Sequence, residues 1–535
     1  MPSCGMSLAA PALAESRPRE ALSYDLAPHA LALAMFAICA FSPAVLNDGD
    51  TWSHIATGDW ILAHQTVPHV DPFTFSVAGK PWTAHEWLSE LLLALAYRAG
   101  GFIGVSLLTG LAAGAAIFVV MRRVAKDLGG PALAALGAIA LILLAPSLLA
   151  RPHILALPVF ALYADALFAA RAENRAPPLA AALLMTLWAN LHGGFAFGLA
   201  LVAPFALEAV AATPPGQRVS EARDWALFGS ASLAAALLNP FGIEGLLFPV
   251  RLMGLHALAQ VGEWSPESFA HPNALEAALL GLIGLALTRP LRVAPMRLVV
   301  LIGLLHLSLA HARHEMLLAI VAPMLLARPI ADALGAPARR DAPVAVPSPP
   351  LRGEGKGEGR FSLAEAWGSF TPPHPNPLPA SGARESAPDE RRQVPPATAL
   401  AGLVAAVLAL SVVRLFLPAP ASPPYASTRA ALAALPGDLK TKPVLNGYAF
   451  GGYLIFEGVK PYVDGRADLF GDEFLADYAR IARGEHAALE TVLARENIAW
   501  TMFAPGQGAV AAMDAAPGWR RVYADRLVVV HARAD

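Results

Sequence analysis

The chain has 535 residues, of which 56% are hydrophobic and only 15% are charged, and its mean hydropathy is +0.49. Apolar runs of about 18 or more residues recur along most of it, which predicts a polytopic α-helical membrane protein. The formal net charge of −2 gives no indication of a nucleic-acid partner. The two cysteines, Cys4 and Cys39, predict neither a disulfide nor a metal site.

The N-terminal tail, 1–27, carries Arg17 and Arg19 ahead of the first apolar run. No small-residue cleavage site follows that run, which indicates an uncleaved signal anchor. Because basic residues remain on the cytoplasmic side, we expect this tail inside and the acidic segment after the first span outside. About eleven spans are predicted. Ten of them form a transmembrane domain at 28–336, and they are 28–46, 102–121, 131–149, 154–170, 178–191, 195–212, one from about 225, 273–289, 297–310 and 316–330. The eleventh is 398–417.

The composition changes after the tenth span. Residues 337–396 are rich in Pro, Gly, Arg and Glu, which predicts a disordered low-complexity cytoplasmic linker because such a segment cannot bury a core. A last span at 397–417 leads to the segment 418–535, where short strand-like runs alternate with helical ones. This alternation predicts a small extracytoplasmic α/β domain. The predicted strands are 443–445, 460–463, 498–503, 520–523 and 527–531, and the predicted helices are 427–436, 472–483, 486–495 and 507–515.

The first outer loop, 47–90, has the densest group of polar and aromatic residues. Asp48 and Asp50 flank a glycine, and a helix over 51–64 would place Asp50 and His54 on one face. Two carboxylates beside a histidine suit either a divalent cation or a base that takes a proton from an acceptor hydroxyl. The alternative is that the acidic residues only cap a helix, with the tryptophans of the loop as an interfacial belt.

Other polar clusters fall at the predicted outer ends of spans, which indicates a cavity lined by several helices. Arg151 and Arg313 suit phosphate binding, because a planar guanidinium matches phosphate oxygens. Arg313 has a local alternative partner in Glu315, and His192 has an alternative role in satisfying the backbone of a tight helical hairpin. Inside the spans, Asp165 and Glu208 lie nearer the inner half, where helix-packing roles are expected.

These residues resemble the GT-C class of membrane glycosyltransferases. The resemblance rests on the D-x-D-like pair after the first span, the amphipathic loop that follows it, the many spans and the outer α/β domain. The class includes lipid-phosphosugar-dependent mannosyltransferases, aminoarabinose transferases and catalytic subunits of oligosaccharyltransferases. The strings DTWSHIATGDWIL, AHEWLSE, NPFG, EWSP and YVDGRADLFGDEFLADY are similar to those of bacterial membrane proteins usually placed near that class.

The resemblance implies roles for particular residues. Asp48 or Asp50 corresponds to the class's first-loop carboxylate, as a general base or as a ligand of a divalent cation such as Mg or Mn. Arg151 and Arg313, by position, are candidates for binding the donor phosphate. The outer domain lacks the W-W-D-x-x motif, which argues against peptide N-glycosylation.

Further candidates for binding the acceptor or sugar are His54, His85, Glu86 and His192, together with Asp464 and Arg466 in a glycine-rich turn of the C-terminal segment. The last two are equally well explained as a structural pair.

The function predicted from these features is an inverting transferase that moves a sugar from a polyprenyl-phosphate lipid to an acceptor. It would act on the extracytoplasmic face of a bacterial cytoplasmic (inner) membrane. A transporter or flippase for lipid-linked glycans and a non-catalytic envelope scaffold are the alternatives. A membrane zinc protease is not expected, because the sequence contains no H-E-x-x-H.

Overall fold

The computed structural model describes residues 26–260, 262–335, 395–419 and 422–534, which belong to one compact unit. Almost all of the predicted tail at 1–27 and of the predicted linker at 337–396 lies outside the described residues. The remaining chain contains a bundle of long apolar helices and a smaller C-terminal part with a β-sheet.

Twelve α-helices lie in the described part of residues 26–335. Several begin at a proline, which has no backbone N–H to leave unpaired in a first turn. The helices are α1 Ala27–Phe41, α2 Gly49–His64, α3 Trp87–Val124, α4 Gly130–Leu144, α5 Pro152–Ala172, α6 Leu183–Leu191, α7 Phe195–Ala212, α8 Arg218–Ala236, α9 Ile243–Met253, α10 Ala274–Thr288, α11 Pro295–Ala310 and α12 Glu315–Ala333. Another apolar helix, α13 Pro396–Leu415, precedes the C-terminal part.

Six helices of the described chain are long and apolar enough to cross a membrane, and four shorter ones are apolar. The six are 87–124, 130–147, 152–172, 195–212, 312–333 and 396–415; the shorter ones are 27–41, 179–191, 274–288 and 295–310. The chain is therefore a helical membrane protein, whereas the count of eleven spans remains a prediction.

Two span boundaries differ from those predicted, for local reasons. The first helix ends at Phe41, not at 46, because Pro43 disfavours helical geometry at Ser42 and starts a short 3-10 turn. The helix α3 extends N-terminally to Trp87, but Gly100 and Gly101 have non-helical backbone angles that divide it just before the predicted span at 102–121.

The C-terminal part contains a four-stranded mixed sheet with helices packed around it. The strands are β1 Val444–Asn446, β2 Trp500–Phe503, β3 Trp519–Ala524 and β4 Val529–Arg533, in the order β1-β2-β4-β3. Strands β1 and β2 are parallel and the other pairs are antiparallel. The helices are α14 Pro423–Ala434, α15 Gly451–Phe456, α16 Ala467–Ala482, α17 His486–Arg495 and α18 Gly508–Ala515.

The predicted strand at 460–463 is wrong, because this segment is held by side chains and not by a neighbouring strand. Asn446 Oδ1 accepts a hydrogen bond from the Tyr462 amide at 2.8 Å, and Asn446 Nδ2 donates one to the Val463 carbonyl at 2.8 Å. The Ser76 hydroxyl, from the first loop, donates to the Tyr462 carbonyl at 2.5 Å. The segment therefore connects the sheet to the first loop.

Close backbone packing joins the C-terminal part to the start of α2. A Cβ on Gly452 would overlap the Gly49 carbonyl, and a Cβ on Gly465 would overlap the Asp50 carboxylate. Beside this contact Trp52 is only 1% exposed and stacks on Tyr425, with ring centroids 3.8 Å apart. The interfacial-belt alternative is therefore wrong for Trp52, which is a core residue between the two parts.

Candidate active site

A cavity of about 380 Å³ lies between the helix bundle and the C-terminal part. Nine of the ten predicted site residues line it; Asp464 does not. The nine are Asp48, Asp50, His54, His85, Glu86, Arg151, His192, Arg313 and Arg466. Residues from all along the chain thus meet in one place, and the cavity is a candidate active site.

One polar wall of the cavity is built around Arg151, which lies just before α5. Its guanidinium donates hydrogen bonds to both oxygens of Asp48, one of them from Nη2 to Oδ1 at 2.6 Å. The same guanidinium lies 2.8 Å from Asp50 Oδ2 and donates from Nη1 to Glu263 Oε2 at 2.8 Å. We call these four residues the acidic–arginine cluster. Asp48 precedes the first residue of α2, but its carboxylate is directed at Arg151, so helix capping does not account for it.

The two aspartates of this cluster differ in acidity. Burial raises the pKa of the Asp48 carboxyl, but the charge and hydrogen bonds of Arg151 outweigh burial and hold that pKa below its usual value. For Asp50, burial is the largest effect, and the charge of Asp48 adds to it, so its pKa rises to about 6 despite Arg151. One carboxylate is thus kept ionised, and the other titrates close to neutral pH.

Arg313 lies on the same side of the cavity. Its Nη1 donates to Glu263 Oε1 at 3.0 Å, and its guanidinium lies over the Trp264 ring, 4.3 Å from the centroid. The local pairing considered for Arg313 and Glu315 is therefore wrong; Glu263 is the partner instead. Because Glu263 contacts both arginines, it holds the two guanidinium groups near each other.

A second polar part of the cavity has a carboxylate surrounded by histidines. Glu86 Oε1 lies 3.5 Å from the Nε2 atoms of both His85 and His192, and Glu86 Oε2 lies 3.9 Å from His54 Nε2. His54 also pairs through Nδ1 with Glu90 Oε1 at 3.1 Å. We call these five residues the histidine–carboxylate cluster. The contacts to Glu86 are longer than normal hydrogen bonds, as contacts in an empty active site often are before a ligand tightens them.

The protonation of these histidines follows from their surroundings. His192 Nδ1 accepts a hydrogen bond from the Gly194 amide at 2.9 Å, so its proton is on Nε2, and burial lowers its pKa to about 3. His192 therefore both satisfies the backbone of the hairpin, as considered from the sequence, and faces the cavity. Burial lowers the pKa of His85, but the Glu86 carboxylate outweighs this effect and raises it above its ordinary value.

The C-terminal part closes the cavity through the turn at 464–468. Asp464 is fully buried and bonds Arg466 through both oxygens, at 2.9 and 2.6 Å. Arg466 also pairs with Asp71 of the first loop at 2.9 Å and lies 4.5 Å from the centroid of the Trp82 ring. This geometry favours the structural-pair interpretation of Asp464 and Arg466, since Arg466 connects the two parts of the molecule.

The metal role considered for Asp48 and Asp50 does not fit the site. Both carboxylates contact Arg151, and the described residues contain no group of three or more His, Cys, Asp or Glu arranged to hold a metal ion. No step is therefore assigned to a divalent cation.

Some residues that line the cavity were not predicted as site residues. Glu263 is part of the string EWSP, and Asp468 and Tyr448 belong to the glycine-rich C-terminal segments; all three line the cavity. The strings drew attention to their regions, but the two arginines that Glu263 contacts lie 112 and 50 positions away in sequence. Tyr448 donates to the Gly465 carbonyl at 3.0 Å and thereby supports the turn next to Asp50.

The carboxylates predicted to pack helices are not in the cavity. Asp165 lies 3.8 Å from Arg123. Glu208 contacts Arg297 at 3.0 Å and Arg171 at 3.4 Å. These pairs join neighbouring helices, as the sequence predicted.

No protein-family model and no curated protein matches the chain. Solved structures similar to it include the apo form of the Archaeoglobus fulgidus oligosaccharyltransferase. That match has 12% identity and a TM-score of 0.48, and it covers 90% of this chain and 69% of the other. ArnT from Cupriavidus metallidurans bound to undecaprenyl phosphate matches with 14% identity and a TM-score of 0.46, over 94% of this chain and 97% of the other. Both are similarities of fold at TM-scores below 0.5, so the chemistry below is derived from the cavity itself.

Proposed function

We propose that this protein is a membrane glycosyltransferase that moves a sugar from a polyprenyl-phosphate-linked donor to an acceptor hydroxyl. One observation carries the proposal. A single cavity at the end of a bundle of apolar helices contains the half-buried Asp50 carboxylate, whose pKa is raised to about 6, together with the guanidinium groups of Arg151 and Arg313. A base and anion-binding groups in one site are what sugar transfer from a phosphate leaving group requires.

Asp50 is the base in this proposal. Its pKa of about 6 leaves it largely ionised at neutral pH, and it is basic enough to take a proton from a hydroxyl as the new bond forms. The acceptor oxygen attacks the anomeric carbon while the bond from that carbon to the phosphate oxygen breaks. The acceptor proton goes to Asp50, and the lipid phosphate leaves with the bonding electron pair. A single displacement of this kind inverts the anomeric configuration.

The arginines stabilise the departing phosphate. Arg313 has one carboxylate partner, Glu263, whereas Arg151 contacts three carboxylates. A donor phosphate would therefore bind first to Arg313 and share Arg151 with Asp48 as negative charge develops. Glu263 is the group that the phosphate would displace, because it contacts both guanidinium groups.

The lipid part of the donor fits the apolar wall of the cavity. This wall comes from α5, α7, α9 and α12, and its residues include Leu157, Phe160, Phe197, Phe248, Leu252 and Leu317. The first isoprenoid units can pack there, with the phosphate at the arginines. A lipid-borne donor also explains why the carboxylates and arginines lie at the ends of apolar helices.

We place the cavity on the extracytoplasmic side of a bacterial inner membrane, with the N-terminus inside. The support is the distribution of arginines in the sequence, which predicts Arg17 and Arg19 inside. Accessibility of single cysteines to a membrane-impermeant maleimide tests this arrangement. A cysteine at exposed Asp477, on α16, should react in intact spheroplasts, and protection of that cysteine would reverse the assignment.

Transfer is tested with purified protein in lipid nanodiscs and a radiolabelled polyprenyl-phosphate hexose. We expect Asp50→Asn to reduce transfer about a thousandfold, the scale of a lost general base, with donor binding retained. The matched control is Asp59→Asn, on the same helix: Asp59 is 37% exposed and pairs with Arg98 away from the cavity. Unchanged transfer in the Asp50 variant would remove the proposed base. In sealed proteoliposomes, movement of intact donor across the bilayer without transfer would favour a flippase.

A further inference from the structure

The turn at 467–470, at the start of α16, is fixed from two sides by other parts of the chain. Lys80 Nζ, from the first loop, donates to the Phe470 carbonyl at 3.2 Å. The Ala257 amide, from the segment after α9, donates to Asp472 Oδ1 at 2.8 Å. Gly471 has φ of 80° and divides this turn from the rest of the helix. The direction of the turn is therefore set by its contacts and not by the helix that follows.

This anchored turn presents one carboxylate to the cavity, that of Asp468. Asp468 makes no salt bridge to another described residue. Arg466, two positions earlier, is already bound to Asp464 and Asp71. Burial raises the pKa of Asp468, against the opposing charges of His85 and Arg466. A carboxylate that faces the cavity without an ion-pair partner among the described residues is available to a ligand.

A second unpaired oxygen lies on the histidine–carboxylate side. Glu90 is 3% exposed and lines the same cavity, and its Oε2 has no hydrogen-bond partner in the described part of the chain. Such a buried oxygen costs free energy unless a donor reaches it. Asp468 and Glu90 thus offer two free acceptors in the same cavity.

We propose that Asp468, together with the histidine–carboxylate cluster, forms a subsite for a neutral polyol, in which Asp468 accepts a hydrogen bond from a sugar hydroxyl. The acceptor role of this subsite rests on the proposed function. A hydroxyl donates to Asp468 and accepts from His85, so it satisfies both neighbours. An ammonium group fits less well, because the Arg466 guanidinium on the same turn would repel it.

The subsite gives the C-terminal part a direct function. Its sheet and helices hold Asp468 against the bundle, so that the binding site is complete only when the two parts are packed together. The connection through Arg466 and Asp71 fixes the distance from Asp468 to the first loop.

A binding experiment tests the subsite without requiring turnover. Full-length protein in nanodiscs is titrated with n-octyl β-glucoside below its micelle concentration, and the fluorescence of the cavity tryptophans is followed. We expect Asp468→Ala to weaken binding about tenfold, the loss of one hydrogen bond to a charged group. Asp468→Glu should restore part of the affinity. Asp477→Asn, an exposed carboxylate on the same helix, should bind like the wild type.

The outcomes separate this subsite from the proposed transfer reaction. Equal dissociation constants for wild type and Asp468→Ala overturn the subsite, as does a wild type that binds no glycoside. Tighter wild-type binding of n-octyl β-glucosaminide, lost in Asp468→Ala, identifies a cation site instead. If the glycoside binds through Asp468 but no sugar is transferred, the transferase proposal fails while the subsite stands.

With transfer established, kinetics add a second measurement. Asp468→Ala should raise the KM for the glycoside as acceptor about tenfold, with little change in kcat or in donor affinity. A fall in kcat with unchanged KM contradicts a binding role for Asp468. Equal thermal unfolding midpoints for Asp468→Ala and wild type exclude a general loss of folding.

Discussion

Two regions of the helix bundle use charged residues in opposite proportions. Away from the cavity, arginines exceed carboxylates: Asp165 lies within 4 Å of Arg122 and Arg123, and Glu208 contacts Arg171 and Arg297. In the acidic–arginine cluster, three carboxylates share Arg151. An excess of arginine gives each carboxylate more than one opposite charge and joins helices. An excess of carboxylate raises the pKa of one of the acids, Asp50, to about 6.

Among substitutions in these two regions, replacement of Arg151 should lower the free energy of unfolding the most. Arg151→Met leaves Asp48 and Asp50 close together without their arginine, while Glu263 keeps Arg313, and we expect a loss of about 3 kcal/mol in the free energy of unfolding. Chemical denaturation in mixed micelles measures it. A variant with wild-type stability would show that the cluster's charges are already solvated or protonated.

The next effect concerns the close packing at Asp50. In Gly465→Ala the new Cβ overlaps the Asp50 carboxylate, so Asp50 must move, and we expect transfer to fall about a hundredfold with folding retained. Gly437→Ala is the control, since a Cβ there meets no atom within 4 Å. Equal activity of both variants would mean that the position of Asp50 is not critical.

The pH dependence of transfer tests the acidity of the cluster. Because the base must be deprotonated, transfer should rise with pH through about 6 and then level off. In Asp48→Asn, Asp50 loses a neighbouring negative charge and Arg151 is less neutralised, so the pKa of Asp50 falls. The increase of the transfer rate with pH then occurs at lower pH. A rise that stays in place, or moves upward, contradicts the assignment of Asp50 as the titrating base.

The smallest effect is expected in the region of excess arginine. Arg122 is 59% exposed and shares Asp165 with Arg123, so Arg122→Ala should change stability by less than about 0.5 kcal/mol. The same denaturation assay measures it beside Arg151→Met. A large loss would show that both arginines are needed to hold Asp165.

Hydropathy and local pattern determined much of this protein from the sequence alone. The apolar helices, the helix after Asp48 and four of the five C-terminal strands have local signals in the chain, because burial of an apolar run or an alternating strand depends on consecutive residues. The acidic pair and the arginines were found for a similar reason, since charges beside apolar helices are costly and therefore conspicuous.

Only the tertiary structure decided which charges meet. Arg151 bonds Asp48 and Glu263, residues more than a hundred positions away on either side, and Arg466 pairs with Asp71, 395 positions earlier in the chain. The strand predicted at 460–463 failed because a distant Asn446 side chain holds its backbone. The free carboxylate of Asp468 became evident only when its neighbours were found bound to others. Such contacts leave no local pattern, because their energies depend on distances that only the packed chain fixes.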